Sequence, residues 1–93
     1  MREAWITKDG KVHEGKNHFM IAHKLFPYTN NPEFACERAG YIKTGYRYDG
    51  SPMMENYNPE RATQAQINTV ARLWEEHYKD CRKRNLSSKQ KKD

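Results

Sequence analysis

Ninety-three residues, 35% of them apolar, make one small domain with a limited core. No apolar run reaches bilayer length and the N-terminal MREAWITKDG lacks an apolar signal-like stretch, which excludes a spanning helix and points to a cytoplasmic chain whose Cys36 and Cys81 stay reduced. The net charge of +5 is segregated: residues 79–93 hold seven cations against two anions, whereas residues 1–78 hold ten of each.

Aromatic residues offset the sparse aliphatic content, since two Trp, three Phe and six Tyr supply large buried area per side chain. In chain order, AWITKDGKVHEG reads as a β-hairpin. Asp9-Gly10 is the turn, because Gly, and less easily Asp, accepts positive φ. NHFMIAHKLFP follows as a short helix with Asn17 as its cap. His18, Ile21, Ala22 and Leu25 share one face, and Pro27 stops the helix. NPEFACERAG carries a full set of helix punctuation. Asn31 caps, Pro32 takes the first position, Glu33 suits the positive end of the dipole, and Gly40 closes the C-terminus. Phe34 is the expected anchor of this helix.

The segment YIKTGYRYDGSPMMENY predicts a second hairpin, turning at Asp49-Gly50. Alternation puts Ile42, Thr44, Tyr46 and Tyr48 on one face and Tyr41, Lys43, Gly45 and Arg47 on the other. The last element is a long helix. Thr63 and Gln66 match a capping box, and Ile67, Val70, Ala71, Trp74, Tyr78 and Cys81 form a stripe flanked by Leu73 and His77. Helix is expected to about Arg84, so that residues 1–84 form one domain and 85–93 a mobile basic tail. The predicted architecture is α+β: an antiparallel sheet of two hairpins packed against the C-terminal helix, with two short helices between the hairpins.

Residue type and spacing bear on several chemistries. His77 and Cys81, at i and i+4, can face one ion, with His13, His18, His23 and Cys36 as further ligand types. There is no C-x-x-C and no second half-site, so no metal and no cofactor are expected. Cys36 falls in mid-helix, away from the N-terminal position that activates a thiol, and no carboxylate pair stands out as acid and base. The glycines sit at turns and element ends rather than in a phosphate loop. The expectation is a non-enzyme without a small-molecule substrate.

Two surfaces remain. Residues 79–93, KDCRKRNLSSKQKKD, suit a polyanion through counterion release, with Arg82, Lys83, Arg84, Lys89, Lys91 and Lys92 as contacts. Tyr41, Lys43 and Arg47 in the second hairpin suit either stacked bases or a protein surface. Against that stands the simpler account that tyrosines favour strands and cover a core.

The early W-x-T-x-D-G-K run (Trp5 to Lys11), the short helix bearing His18, the Gly40-Tyr41-Ile42 strand start and the closing T-x-x-Q helix (Thr63, Gln66) resemble small uncharacterised phage- and mobile-element-encoded proteins. The likeness covers roughly the first eighty residues and carries over no functional residue. It implies a protein that acts stoichiometrically on a host or phage complex, inhibitors of host defence of the anti-CRISPR kind among them. Two functions therefore compete: a nucleic-acid-binding accessory protein working through the basic end, and a protein–protein inhibitor or adaptor working through the tyrosine-rich hairpin.

Overall fold

The computed structural model describes residues 3–92, with side chains through Cys81. Its elements are β1 (Glu3–Ile6), β2 (Val12–Gly15), α1 (His18–Leu25), α2 (Pro32–Arg38), β3 (Ile42–Tyr46), β4 (Pro52–Met54) and α3 (Gln64–Lys92). The strands form one antiparallel four-stranded sheet in the order β2-β1-β3-β4. The architecture is α+β with both expected hairpins, two short helices between them and a long C-terminal helix. α3 continues past the expected helix end near Arg84, to Lys92; the side chains of the segment from 82 onward lie outside those described.

Both faces of the sheet are covered. Trp5 and Ile6 are adjacent in β1 and must point to opposite faces; both are fully buried. Trp5 packs with Ile21 and Ala22 of α1 and Cys36 of α2, joined by Leu25, Phe26 and Tyr41. Ile6 packs with Ile42 and with Val70 of α3, joined by Val12, Met54, Leu73 and Trp74. The result is three thin layers, α1 and α2 over one face and α3 over the other. β1 has the apolar run Ala4-Trp5-Ile6 because it lies inside the sheet and is buried on both sides.

Both hairpins turn by the same device. Gly10 N donates to Thr7 O and Thr7 N donates to Lys11 O; Gly50 N donates to Arg47 O and Arg47 N donates to Ser51 O. Each loop thus has three residues, Lys8-Asp9-Gly10 and Tyr48-Asp49-Gly50, not the two of a tight Asp-Gly turn. The glycine takes positive φ, 83° and 89°: a type I turn followed by a left-handed residue. The aspartate selects this form. Asp49 Oδ1 accepts from Ser51 N and Ser51 Oγ, and Asp9 Oδ1 accepts from Lys11 N and the Thr7 hydroxyl.

The helix caps form as the residues dictate. Asn17 Oδ1 accepts from Met20 N at 2.8 Å and Asn31 Oδ1 from Phe34 N at 3.3 Å. α2 closes with Gly40 at φ 83°, its N bonded to Glu37 O and Tyr41 N bonded to Cys36 O, the paired bonds of a Schellman motif. Phe34 does not anchor this helix. It is 51% exposed, with the Arg38 guanidinium 5.7 Å from its ring, and Cys36 is the buried residue. Phe34 sits in the first turn and points away from the sheet.

The buried side of α3 is also rotated from the apolar stripe. Gln66, Thr69 and Val70 are buried, Leu73 and Trp74 are half-buried, and Ala71 and Tyr78 face solvent. The cause is polar. Thr63 Oγ1 accepts from Gln66 N while Gln66 Oε1 accepts from Thr63 N, completing the capping box. The same two side chains then donate outward, Thr63 Oγ1 to Lys8 O and Gln66 Nε2 to Gly40 O and Ile6 O. Thr69 Oγ1 donates to Gly10 O at 2.6 Å. The first turns of α3 are therefore docked on the β1–β2 turn by hydrogen bonds, and its apolar packing begins only at Val70.

Candidate functional surfaces

The hairpin residues proposed for contact do not stand together on an open face. β3 alternates as expected, but its second face is not solvent; it lies under α1 and α2. Tyr41 therefore joins the Trp5 cluster, its ring 5.7 Å from that of Phe26. Lys43 is half-buried with Nζ 3.7 Å from Glu33 and 3.7 Å from Glu55, so two carboxylates already neutralise it. Arg47 is exposed at the turn, beside Tyr48, which is 99% exposed. Of the aromatic and cationic set, the structure leaves the hairpin tip available and takes Tyr41 and Lys43 into packing and ion pairing. Arg82, Lys83, Arg84, Lys89, Lys91 and Lys92 lie outside the described side chains.

The chemistry-bearing side chains of the body are engaged structurally. His18 is buried. Its Nε2 is 2.7 Å from Thr44 O, which can only accept, so Nε2 carries a proton there. Its Nδ1 is 2.6 Å from Glu3 Oε2, its ring stands edge-on to Trp5, and its own carbonyl accepts from Trp5 Nε1. With both nitrogens occupied, His18 ties the start of α1 to three strand residues and offers no proton to a ligand. Sequence reading found His18 on the inner face of its helix but gave no sign of Glu3 as its partner.

Cys36 is buried, and desolvation, with Glu33 and Glu37 adding to it, pushes its thiol up to about 11. Such a thiol is a poor nucleophile at neutral pH. Cys81 Sγ lies 3.6 Å from His77 Nε2, as the i, i+4 spacing suggested. Among the described residues, however, no group of three or more His, Cys, Asp or Glu side chains converges on a point that could hold a metal ion. His77 instead closes an aromatic row on α3, its ring 6.0 Å from Trp74 and 5.8 Å from Tyr78.

Two hollows were not foreseen. A cleft of about 510 Å³ lies between Gly40, Tyr41 and Ile42 on one side and Asn56, Asn58, Arg61 and Gln66 on the other. Asn56 organises its wall, donating to Tyr41 O at 3.0 Å and accepting from Lys43 N at 2.7 Å. A second hollow, also about 510 Å³, runs between β2 and α1. The first has no sequence signature, because its walls come from separate segments of the chain; the second lies between consecutive elements, whose relative seating no local pattern gives. No helix among the described residues is long and apolar enough to cross a membrane. No protein-family model matches this chain, and no curated protein and no solved structure matches it either.

Proposed function

We propose that this chain is a non-catalytic accessory protein, of the phage-encoded kind, that holds nucleic acid or a nucleoprotein complex through its basic C-terminal segment. One observation carries the reading: residues 79–93 account for the entire net charge of +5, while residues 1–78 are balanced. Lys43, the body's own candidate for phosphate contact, is already paired with two carboxylates, which adds to the asymmetry. Arg82, Lys83, Arg84, Lys89, Lys91 and Lys92 meet phosphates and release counterions, so the binding is sequence-blind and steeply salt-dependent.

The test is fluorescence anisotropy with labelled single- and double-stranded oligonucleotides across a salt series. A full-length variant with those six cations replaced by Gln is run alongside. Each phosphate neutralised contributes about 0.9 to the slope of log K on log salt for duplex DNA. The unmodified chain should show a slope of several units and the variant a slope near zero. Equal slopes in the two proteins would refute the reading.

The second reading, a protein–protein inhibitor or adaptor, is favoured by one feature, the exposed Arg47-Tyr48 tip of the second hairpin. A solvent-facing Tyr beside an Arg is a common anchor pair in protein interfaces. Capture from a lysate with and without nuclease separates the two: partners held through nucleic acid disappear on digestion, and a directly bound protein stays.

A further inference from the structure

We infer that the aromatic row of α3 is a stacking platform for unpaired bases; this rests on the nucleic-acid reading and makes the ligand a single strand. Trp74, His77 and Tyr78 stand at i, i+3 and i+4 on α3, and so share one side of it. Their rings form one group: Trp74 lies 5.8 Å from Tyr78 and 6.0 Å from His77, and His77 lies 5.8 Å from Tyr78. The inner member is fixed, because Trp74 packs on the Ile6, Ile42 and Val70 cluster. The outer member is open, Tyr78 being 54% exposed. A ring already held by two neighbours loses little freedom when a base stacks on it.

The cations follow in line. α3 runs unbroken from the row to Lys92, and Arg82, the first of the six, comes four residues after Tyr78, about 6 Å along the axis. The platform and the cationic segment thus occupy one rod, about 27 Å from Trp74 to Lys92. The second hairpin comes up beside the row, since the charge of His77 bears on Asp49. Its tip adds a second exposed aromatic with a cation, Tyr48 with Arg47. Cations that track phosphates next to aromatic faces that stack bases are the two parts of a single-strand site.

Charge and composition decide the occupant. A protein groove grips a helix through apolar anchors repeated at i, i+3, i+4 and i+7. From Glu75 to Asp93 the chain has one aliphatic residue, Leu86, so an acidic protein would find charge there but few anchors. A second copy brings the same +5 and a neutral body, which leaves the cationic segment unanswered. A duplex keeps its bases stacked on one another, and in its major groove phosphates flank a helix on both sides. Glu75, Glu76 and Asp80 are exposed and by helical spacing lie off the row, where those phosphates would meet them. A single strand laid along the row avoids all three.

The experiment titrates the full chain with a 12-nucleotide oligo-thymidine, a duplex of the same length and an oligo-glutamate of the same length, at one salt concentration. Trp5 is fully buried, so quenching of tryptophan emission reports on Trp74. The oligo-thymidine should quench that emission and bind about tenfold more tightly than the duplex. Tyr78→Ala, at an exposed position the fold tolerates, should lower its affinity by about fivefold or more, the loss expected for one unstacked base. The slope of log K on log salt should not change, because no cation has been removed. Tyr78→Phe keeps the ring and should keep the affinity. Oligo-glutamate has charge but no bases, and should bind Tyr78→Ala and the unmodified chain alike. The inference is overturned by duplex binding as tight as single-strand binding, by unchanged oligo-thymidine affinity in Tyr78→Ala, or by an equal loss of oligo-glutamate in that variant. A dimer that Tyr78→Ala dissolves while oligo-thymidine binding stays the same overturns it too. The wider reading is judged separately, on the variant with six cations replaced by Gln. If its salt slope flattens while Tyr78→Ala binds normally, nucleic-acid binding stands and only the platform falls; no oligonucleotide binding by the unmodified chain removes both.

Discussion

His18 shows how one residue can tie three elements together, joining α1 to β1 through Glu3 and Trp5 and to β3 through Thr44. Replacing it with Ala strands the half-buried Glu3 carboxylate and removes a donor from Thr44 O. His18→Ala is therefore expected to lose roughly 2–3 kcal/mol in urea denaturation, and a loss under about 0.5 kcal/mol would show that the network is idle. The cysteines separate by burial. Cys36 should resist a thiol reagent at pH 8 in the folded protein while half-exposed Cys81 reacts, and denaturant should make both available. Cys36 also predicts alkaline sensitivity. Its folded value, about 11, lies above the ordinary thiol value of 9.0. The stability tied to its neutral form is thus complete below about pH 9 and is lost as pH rises toward 11. Chemical denaturation at pH 8, 9, 10 and 11 should fall more steeply for the unmodified chain than for Cys36→Ala.

At the level of elements, the two Asp-Gly turns look alike in sequence but differ in surroundings. Gly50 has φ 89° and open space around it, so Gly50→Ala meets only the left-handed penalty of about 1–2 kcal/mol. Gly10 has φ 83°, and a Cβ there would lie 2.7 Å from Ala65 O and 2.8 Å from Thr69 Oγ1. Gly10→Ala must also push the turn off α3, and its thermal midpoint should fall well below that of Gly50→Ala; equal midpoints would contradict the docking. Asp9 and Asp49 are held below the usual carboxylate value, Asp9 chiefly by the Thr7 hydroxyl and Asp49 chiefly by that of Ser51, with His77 adding to the latter. Their contribution is present above about pH 4 and fades as pH falls further. Gln66→Ala removes half of the capping box and the bonds to Ile6 O and Gly40 O together, so it should cost more than the usual cap loss of about 1 kcal/mol.

For the whole molecule, the two apolar clusters lie within residues 5–74, one on each side of the sheet. A chain ending at Cys81 should therefore keep its circular dichroism spectrum and cooperative melting while losing all of the +5 charge. Failure of that truncation to fold would mean that residues 82–93 carry structural weight as well as charge. The three-layer arrangement also changes how surface is counted. With both faces of the sheet covered, strand side chains reach a partner only at turns and at the outer strand edges. That is why the Arg47-Tyr48 hairpin tip, and not the face of β3, stands open to solvent.

The sequence by itself determined the elements and most of their ends. Asn17, Asn31, Pro32, Gly40 and the Thr63–Gln66 box are local chemistry, acting over three or four residues, and the structure uses each where spacing puts it. Charge segregation is likewise arithmetic on the chain. The tertiary structure alone decided which faces are buried. Period-two alternation tells Tyr41 from Ile42, but only the seating of α1 and α2 on the second face sends Tyr41 inward and places Lys43 between Glu33 and Glu55. The burial of Gln66 and Thr69 is invisible to local sequence for the same reason: a polar side chain is buried only when a partner waits, and theirs are carbonyls about sixty positions away along the chain.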